Sequence, residues 1–388
     1  MRSILPEPPT QLKQTSDQLL GLIIDEIHDS GPIPFSRFME RALYEPGLGY
    51  YSAGLYKFGA EGDFVTAPQL GSVFAKCLAS QLSQAAAELG AYEVLEVGAG
   101  TGKLAVDLLD ALDVDARPRR FSFLERSADL RRQQQLAVTQ SGLDTEIRFE
   151  WLDAPPDRSW QGVLLANEVI DALPVERFEL RDGSIQRLCV AESQGQLDWA
   201  LEAAPDSLTG TVTRVAGQDR PLPDGYRSEI CTMLAPWLNA LTGRMERGCA
   251  LFIDYGYPRD IYYAPERSDG TLICNYRHRA HDDPFFYPGL QDISAFVDFT
   301  AVAEAADHCG LTVAGYTSQS SFLLDCDLEQ VLAGMEHMQD RQRIELANEV
   351  RRLTLPTEMG EKFQCMFLSR NLESEPRGFR SQDLRFRL

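Results

Sequence analysis

Hydrophobic positions along the first ninety residues recur at helical spacing. Between residues 18 and 28 they fall at 19, 20, 22, 23, 24 and 27, which predicts one helix face ended by Asp29-Ser30-Gly31-Pro32. Residues 35–43 predict a second helix with Phe38, Met39, Ala42 and Leu43 as its apolar face, and residues 70–89 predict a third. Between these two runs a loop rich in glycine and aromatic residues, from Tyr44 to Asp63. From Glu93 the rhythm changes. Short apolar strands at 93–97, 120–124, 146–151 and 162–166 alternate with helices at 103–112 and 128–139, the pattern of a parallel, doubly wound sheet.

Three β-like runs follow over 175–201, separated by turn signals at Arg181-Asp182-Gly183-Ser184 and Ser193-Gln194-Gly195, and predict an antiparallel ribbon. Residues 227–241 read as a helix bent near Pro236, and 249–254 as a fifth buried strand. The aromatic, Pro- and Gly-rich stretch 255–297 reads as a lid or substrate loop, because an idle loop of that length only costs ordering entropy. A helix near 300–309, a strand at 311–317, helices between 325 and 354 and a strand at 363–368 close the chain. The expected organisation is a helical N-terminal cap over 1–90 and an α/β core over 91–388 carrying the ribbon and the lid as insertions.

The length of 388 residues accommodates two to three domains or one elaborated α/β domain. With 44% hydrophobic and 24% charged residues, a disordered chain, a collagen-like repeat and a disulfide-stapled miniprotein are excluded. Against 58 acidic residues stand 37 basic ones, a net charge of −21 that repels phosphate backbones and anionic lipid, so neither nucleic acid nor a membrane is expected as a partner. Eight cysteines without a CxxC pair point to reduced thiols. The N-terminal segment MRSILPEPPTQLKQTSDQLL has no apolar signal-peptide core, which gives the expectation of a cytoplasmic protein.

Val94 to Gly102 places glycines at 98, 100 and 102, directly after an apolar strand and before a helix. Glycine alone lets the backbone turn this tightly and approach a ligand this closely. A dinucleotide fingerprint would need its last glycine at 103, where the chain has Lys103, so the spacing favours S-adenosylmethionine (SAM) over NAD. Glu125 ends the next strand 23 residues past Gly102, close to the spacing of about 20 at which a carboxylate accepts both ribose hydroxyls of a nucleoside. Glu96 is placed to meet the methionyl ammonium. Asp153, after the third strand, has two readings: an adenine contact, or a carboxylate that starts the Asp153-Ala154-Pro155-Pro156 turn.

Asn167 and Glu168 follow the fourth strand and emerge at the carboxyl face, where ligands bind in open α/β sheets. A helical turn beginning there would put Glu168 and Asp171 on one face as paired carboxylates able to grip a guanidinium. The same residues also suit the capping of a helix N-terminus.

Seven segments, GDFVTAPQ (62–69), EVGAGTGKLA (96–105), LERSADLRRQQ (124–134), ANEVIDALPVERF (166–178), IDYG (253–256), GTLICNYRHRAHDDPFFYPGLQDI (270–293) and VDFT (297–300), together resemble the MidA-like SAM-dependent methyltransferases over most of the chain. The resemblance implies a seven-stranded Rossmann-like methyltransferase core with an N-terminal cap. It also implies methylation of arginine in a protein substrate, linked in the mitochondrial member to respiratory complex I. It carries Thr66, Pro68 and Gln69, with Asp63, onto a segment that closes over SAM. Tyr276, His278 and Asp283 become substrate-loop residues, for which loop anchoring is the other reading, and Asp298 joins Glu168 and Asp171 as a catalytic candidate. One departure is that Phe296 stands where the family often has histidine. No metal is expected, although His278 and His281 beside two aspartates form an HxxH. A SAM-binding assembly scaffold with weak catalysis, a small-molecule N- or O-methyltransferase and, more distantly, an NAD-dependent oxidoreductase are the other functions compatible with these residues.

Overall fold

The structure is a computed structural model and describes residues 5–53, 66–216, 222–333, 335 and 338–388. The chain divides into two compact units, each assembled from three stretches: Met1–Phe64, Asp171–Leu234 and Tyr257–Asp298 form one, and Val65–Ile170, Ala235–Gly256 and Phe299–Leu388 the other.

The larger unit is built on strands β1 (Glu93–Val97), β2 (Arg120–Leu124), β3 (Arg148–Leu152), β4 (Trp160–Asn167), β5 (Met245–Tyr257), β6 (Thr312–Ser318) and β7 (Phe363–Arg370), in the spatial order β6-β7-β5-β4-β1-β2-β3. Strands β1 to β5 pair in parallel, and β7 is antiparallel to both β5 and β6. Parallel strands are covered on both faces, which is why Val94, Leu95, Phe121, Phe123, Leu164 and Leu251 are all buried instead of alternating with polar residues. Helices Val73–Leu89 and Lys103–Ala111 supply Phe74, Leu78, Leu82, Leu104 and Leu108 to the same core. Strand β1 has β2 on one side and β4 on the other, so the chain's progress across the sheet reverses at β1. The crevice beyond the carboxyl ends of β1 and β4 is therefore the place where this fold receives a ligand.

In the other unit, helices Thr10–Ser30 and Phe35–Tyr44 bury Leu19, Ile23, Phe35, Phe38 and Met39 against an antiparallel sheet. Its strands run Gln196–Ala203, Ser184–Ser193, Glu176–Arg181 and Arg227–Ile230, with Ile33–Pro34 added beside Ser184–Ser193. Both ribbon turns take the two consecutive positive φ values that match the twist of the strands: Asp182 at 50° with Gly183 at 72°, and Gln194 at 55° with Gly195 at 79°.

Several expectations are corrected. The first helix is Thr10–Ser30, longer than its apolar stripe indicates, and the third breaks at Gly71-Ser72 into Ala67–Leu70 and Val73–Leu89. Residues 227–241 are not one helix: Arg227–Ile230 is a strand paired with residues 176–179, followed by helix Leu234–Thr242. Its alternation is hidden because the buried Glu229 faces inward to receive Arg177 Nε at 2.9 Å. The stretch 255–297 is not one irregular loop. It contains a sheet of Ile273–Tyr276 between Arg279–His281 and Asp292–Ser294. All eight cysteines are free thiols, and among the described residues no helix is long and apolar enough to cross a membrane.

Candidate cofactor and acceptor site

Strand β1 ends at Val97 and the chain turns through Gly98, Gly100 and Gly102 at φ 68°, 54° and 82°, left-handed values that side chains other than glycine rarely adopt. A Cβ at Gly98 would lie 2.7 Å from a Val169 methyl, and one at Gly102 would lie 3.2 Å from the Gln134 backbone. The turn thus packs between the segment after β4 and helix Ala128–Ser141, leaving a glycine-lined cradle at the fold's ligand position.

The fully buried Gln134 organises that cradle. Its amide Nε2–H donates to the Gly100 carbonyl at 2.9 Å and to Glu125 Oε2 at 3.3 Å, and its Oε1 accepts from the Trp151 indole at 3.0 Å. Glu125 Oε1 accepts the Ser127 N–H at 2.7 Å, so the carboxylate is fixed at the end of β2. Asp153 is exposed and paired at 2.7 Å with Arg131, whose Nε also donates to the Glu125 carbonyl. Glu96 is buried in β1, and its Oε2 has no hydrogen-bond partner among the described residues. Burial pushes its carboxyl up to about 8. A buried, unpartnered carboxyl oxygen one strand-end from a glycine cradle fits a ligand carrying a cation.

Glu168 follows β4 at φ 55°, and its N–H donates to the Ile253 carbonyl at 2.8 Å. Its Oε1 accepts Asn167 Nδ2–H at 3.0 Å and the Ala67 N–H at 3.3 Å. The Asn167 Oδ1 is buried without a partner among the described residues. No helix begins here: residues 168–171 form bends and a turn, which removes both the shared helical face expected for Glu168 and Asp171 and the capping alternative. The physical reason is Asp254, buried in β5, whose Oδ2 accepts the N–H groups of Val169 at 3.1 Å and Ile170 at 2.9 Å and holds the segment irregular. Thr66, Pro68 and Gln69 sit at the short helix Ala67–Leu70, where Gln69 Nε2 donates to Thr101 Oγ1 in the glycine turn at 3.3 Å. Asp63 lies outside the described residues.

The remaining candidates belong to the other unit. Asp171 is buried, its carbonyl accepts the Ala295 N–H at 3.0 Å, and its charge adds to the burial that holds the Tyr44 phenol above its usual range. Asp298 is buried and receives Arg259 Nε at 3.2 Å. Tyr276 is buried in its strand, whereas Arg277 and His278, at φ 47° and 59°, form the exposed turn of the next hairpin. Asp283 accepts the Phe285 N–H at 3.1 Å and thereby anchors its own loop. Burial keeps His281 below the usual histidine range, and no group of three or more His, Cys, Asp or Glu arranged for a metal occurs among the described residues. Sequence reasoning missed Gln134 and Asp254. The first looked like one of three consecutive glutamines on a helix and the second like the end of a strand, and only burial distinguishes them.

A family model described as "Putative S-adenosyl-L-methionine-dependent methyltransferase" matches residues 73–317. A crystal structure from Burkholderia thailandensis bound to S-adenosyl-homocysteine is 38% identical, with TM-score 0.92, covering 99% of this chain and 100% of that one. A native crystal structure of a protein from the same organism is also 38% identical, at TM-score 0.89 with the same coverage. The mitochondrial protein arginine methyltransferase NDUFAF7 homolog of Drosophila melanogaster is 30% identical over 93% of this chain and 87% of its own length. Mitochondrial NDUFAF7 of Danio rerio is 26% identical over 89% and 85%. Sheet, glycine cradle and comparisons define a SAM-dependent methyltransferase, and SAM is its cofactor. The chain belongs to the MidA-like family of these enzymes. The expectation of a cytoplasmic protein is overturned by these comparisons, because the NDUFAF7 relatives are named as mitochondrial proteins.

Proposed function

We propose that the enzyme methylates arginine side chains of a protein substrate, with Glu168 as the residue that holds the acceptor and takes its proton. The observation that carries the reading is the placement of Glu168 at the carboxyl end of β4, fixed in a left-handed conformation by Asn167, Ala67 and the Ile253 carbonyl. Such a conformation costs of order 1–3 kcal/mol outside glycine and persists where the surroundings enforce it. The names of the fly and fish relatives support the arginine acceptor.

In the cofactor cradle, Glu125 takes the ribose hydroxyls, Glu96 the ammonium and Asp153 the adenine. The backbone at Gly98, Gly100 and Gly102 allows close approach, while Asn167, Thr66, Pro68 and Gln69 border the pocket. When bound, SAM supplies an activated methyl group on a sulfonium. A guanidinium remains protonated to a pH above about 12 and is a poor nucleophile. A carboxylate against two of its nitrogens draws the positive charge onto them, which leaves the third more nucleophilic. The N–H proton released when that nitrogen gains the methyl passes to the carboxylate. Asp171 and Asp298 are proposed as further acidic residues for the acceptor, and Tyr276, His278 and Asp283 as substrate contacts. Residues 255–297 are proposed as a lid or substrate loop, and the sheet as a seven-stranded methyltransferase core.

Glu168→Gln tests the assignment. SAM affinity should stay within about threefold and methyl transfer should fall by on the order of a hundredfold. Full turnover in that variant would place the base elsewhere.

A further inference from the structure

Residues 67–73 form a strap with four fixed points, all within the larger unit. The Ala67 N–H donates to Glu168 Oε1 at 3.3 Å and Gln69 Nε2 to Thr101 Oγ1 at 3.3 Å. Lys103, the first residue after the glycine turn, donates from Nζ to the Gly71 carbonyl at 3.0 Å. The fourth point comes from far along the chain: Glu349, on helix Asp340–Thr354, accepts the Val73 N–H at 2.7 Å in a buried bond.

The last contact is specific in shape as well as in charge. A Cβ at Gly71 would lie 1.9 Å from Glu349 Oε2, so the carboxylate fits against the strap only because residue 71 has no side chain. Glu349 is itself buried, and burial holds its carboxyl above the ordinary range although Lys103 and Lys76 oppose that shift. A buried carboxylate is costly unless it is hydrogen-bonded, and its partner here is the first N–H of helix Val73–Leu89, where the helix dipole favours negative charge. Because Gln69 and Lys103 tie the same strap to the glycine turn, whatever fixes Gly71 and Val73 also fixes the strap against that turn.

We infer that Glu349 is a positioning residue for SAM: from a C-terminal helix, it sets the strap 67–73 against the glycine turn and so tunes cofactor affinity. The inference rests on the proposed placement of Thr66, Pro68 and Gln69 beside the cofactor and does not depend on the role proposed for Glu168.

The test pairs calorimetric titration of the full chain with SAM and hydrogen–deuterium exchange of the ligand-free protein. Glu349→Ala should raise the SAM Kd about tenfold and speed amide exchange in residues 67–73, with exchange in β1 and β4 unchanged. Glu349→Gln keeps an acceptor of the same shape and should restore both readouts to within about threefold of the unmodified protein. If Glu349→Ala does not fold, Gly71→Ala makes the same displacement from the other side of the contact and should give the same pair of changes. Unchanged SAM affinity in a folded variant would overturn the inference. So would a rise in exchange spread equally through β1 and β4, which would mean general destabilisation instead of a released strap.

Discussion

Glu96 shows what a single residue's environment contributes. Its carboxyl is raised by burial to about 8 from an ordinary 4.5, so at neutral pH the ligand-free protein holds it mostly uncharged. The stability this preference contributes is fully present below about pH 4.5 and is lost as pH rises through about 8. A ligand ammonium at the unpartnered Oε2 reverses the preference and draws off the proton. Near pH 6.5 an α-amino group is already protonated, so binding of SAM there should release close to one proton. Calorimetry in buffers of different ionisation enthalpy reads that number directly. Glu96→Gln should abolish the release and weaken binding about tenfold or more, whereas proton release unchanged in Glu96→Gln would remove Glu96 from the ammonium site.

At the scale of elements, the helix Ala128–Ser141 does more than cover one face of the sheet. Through Gln134 it ties the glycine turn, the end of β2 and the Trp151 indole together. Gln134→Ala leaves buried polar groups without partners, at about 1–3 kcal/mol, and should lower the urea-unfolding free energy by that amount while weakening SAM binding. A variant with unchanged stability and affinity would show that Gln134 organises neither the fold nor the cofactor site. The central strands β1, β4 and β5 were legible because burial on both faces leaves apolar runs, as in Val94-Leu95 and Leu251-Phe252-Ile253. The glycine turn and Glu125 were legible because the backbone geometry demands those residue types. What was illegible depends on partners distant in sequence. Arg227–Ile230 became a strand because residues 176–179 pair with it, and Glu168 escaped a helix because Asp254, in another strand, takes the N–H groups of Val169 and Ile170. Glu349 gave no signal at all, since its charged helix reads as a solvated one until Gly71 is seen against it.

For the molecule as a whole, the net charge of −21 disfavours phosphate-rich partners and suits an acceptor segment that carries positive charge. The strand order reverses at β1, which places the glycine turn and Glu168 at adjoining strand ends of one unit. On the proposed assignment of Glu168, cofactor and acceptor chemistry meet where this fold binds ligands. The central claim, methyl transfer to arginine of a protein, is tested most directly by incubating the enzyme with methyl-labelled SAM and a cell lysate that lacks it. Mass spectrometry then locates the label. The account predicts label on the guanidinium of defined arginines in one or a few proteins, lost by on the order of a hundredfold with Glu168→Gln. Label found only on small molecules or on residues other than arginine, or no transfer despite tight SAM binding, would contradict it.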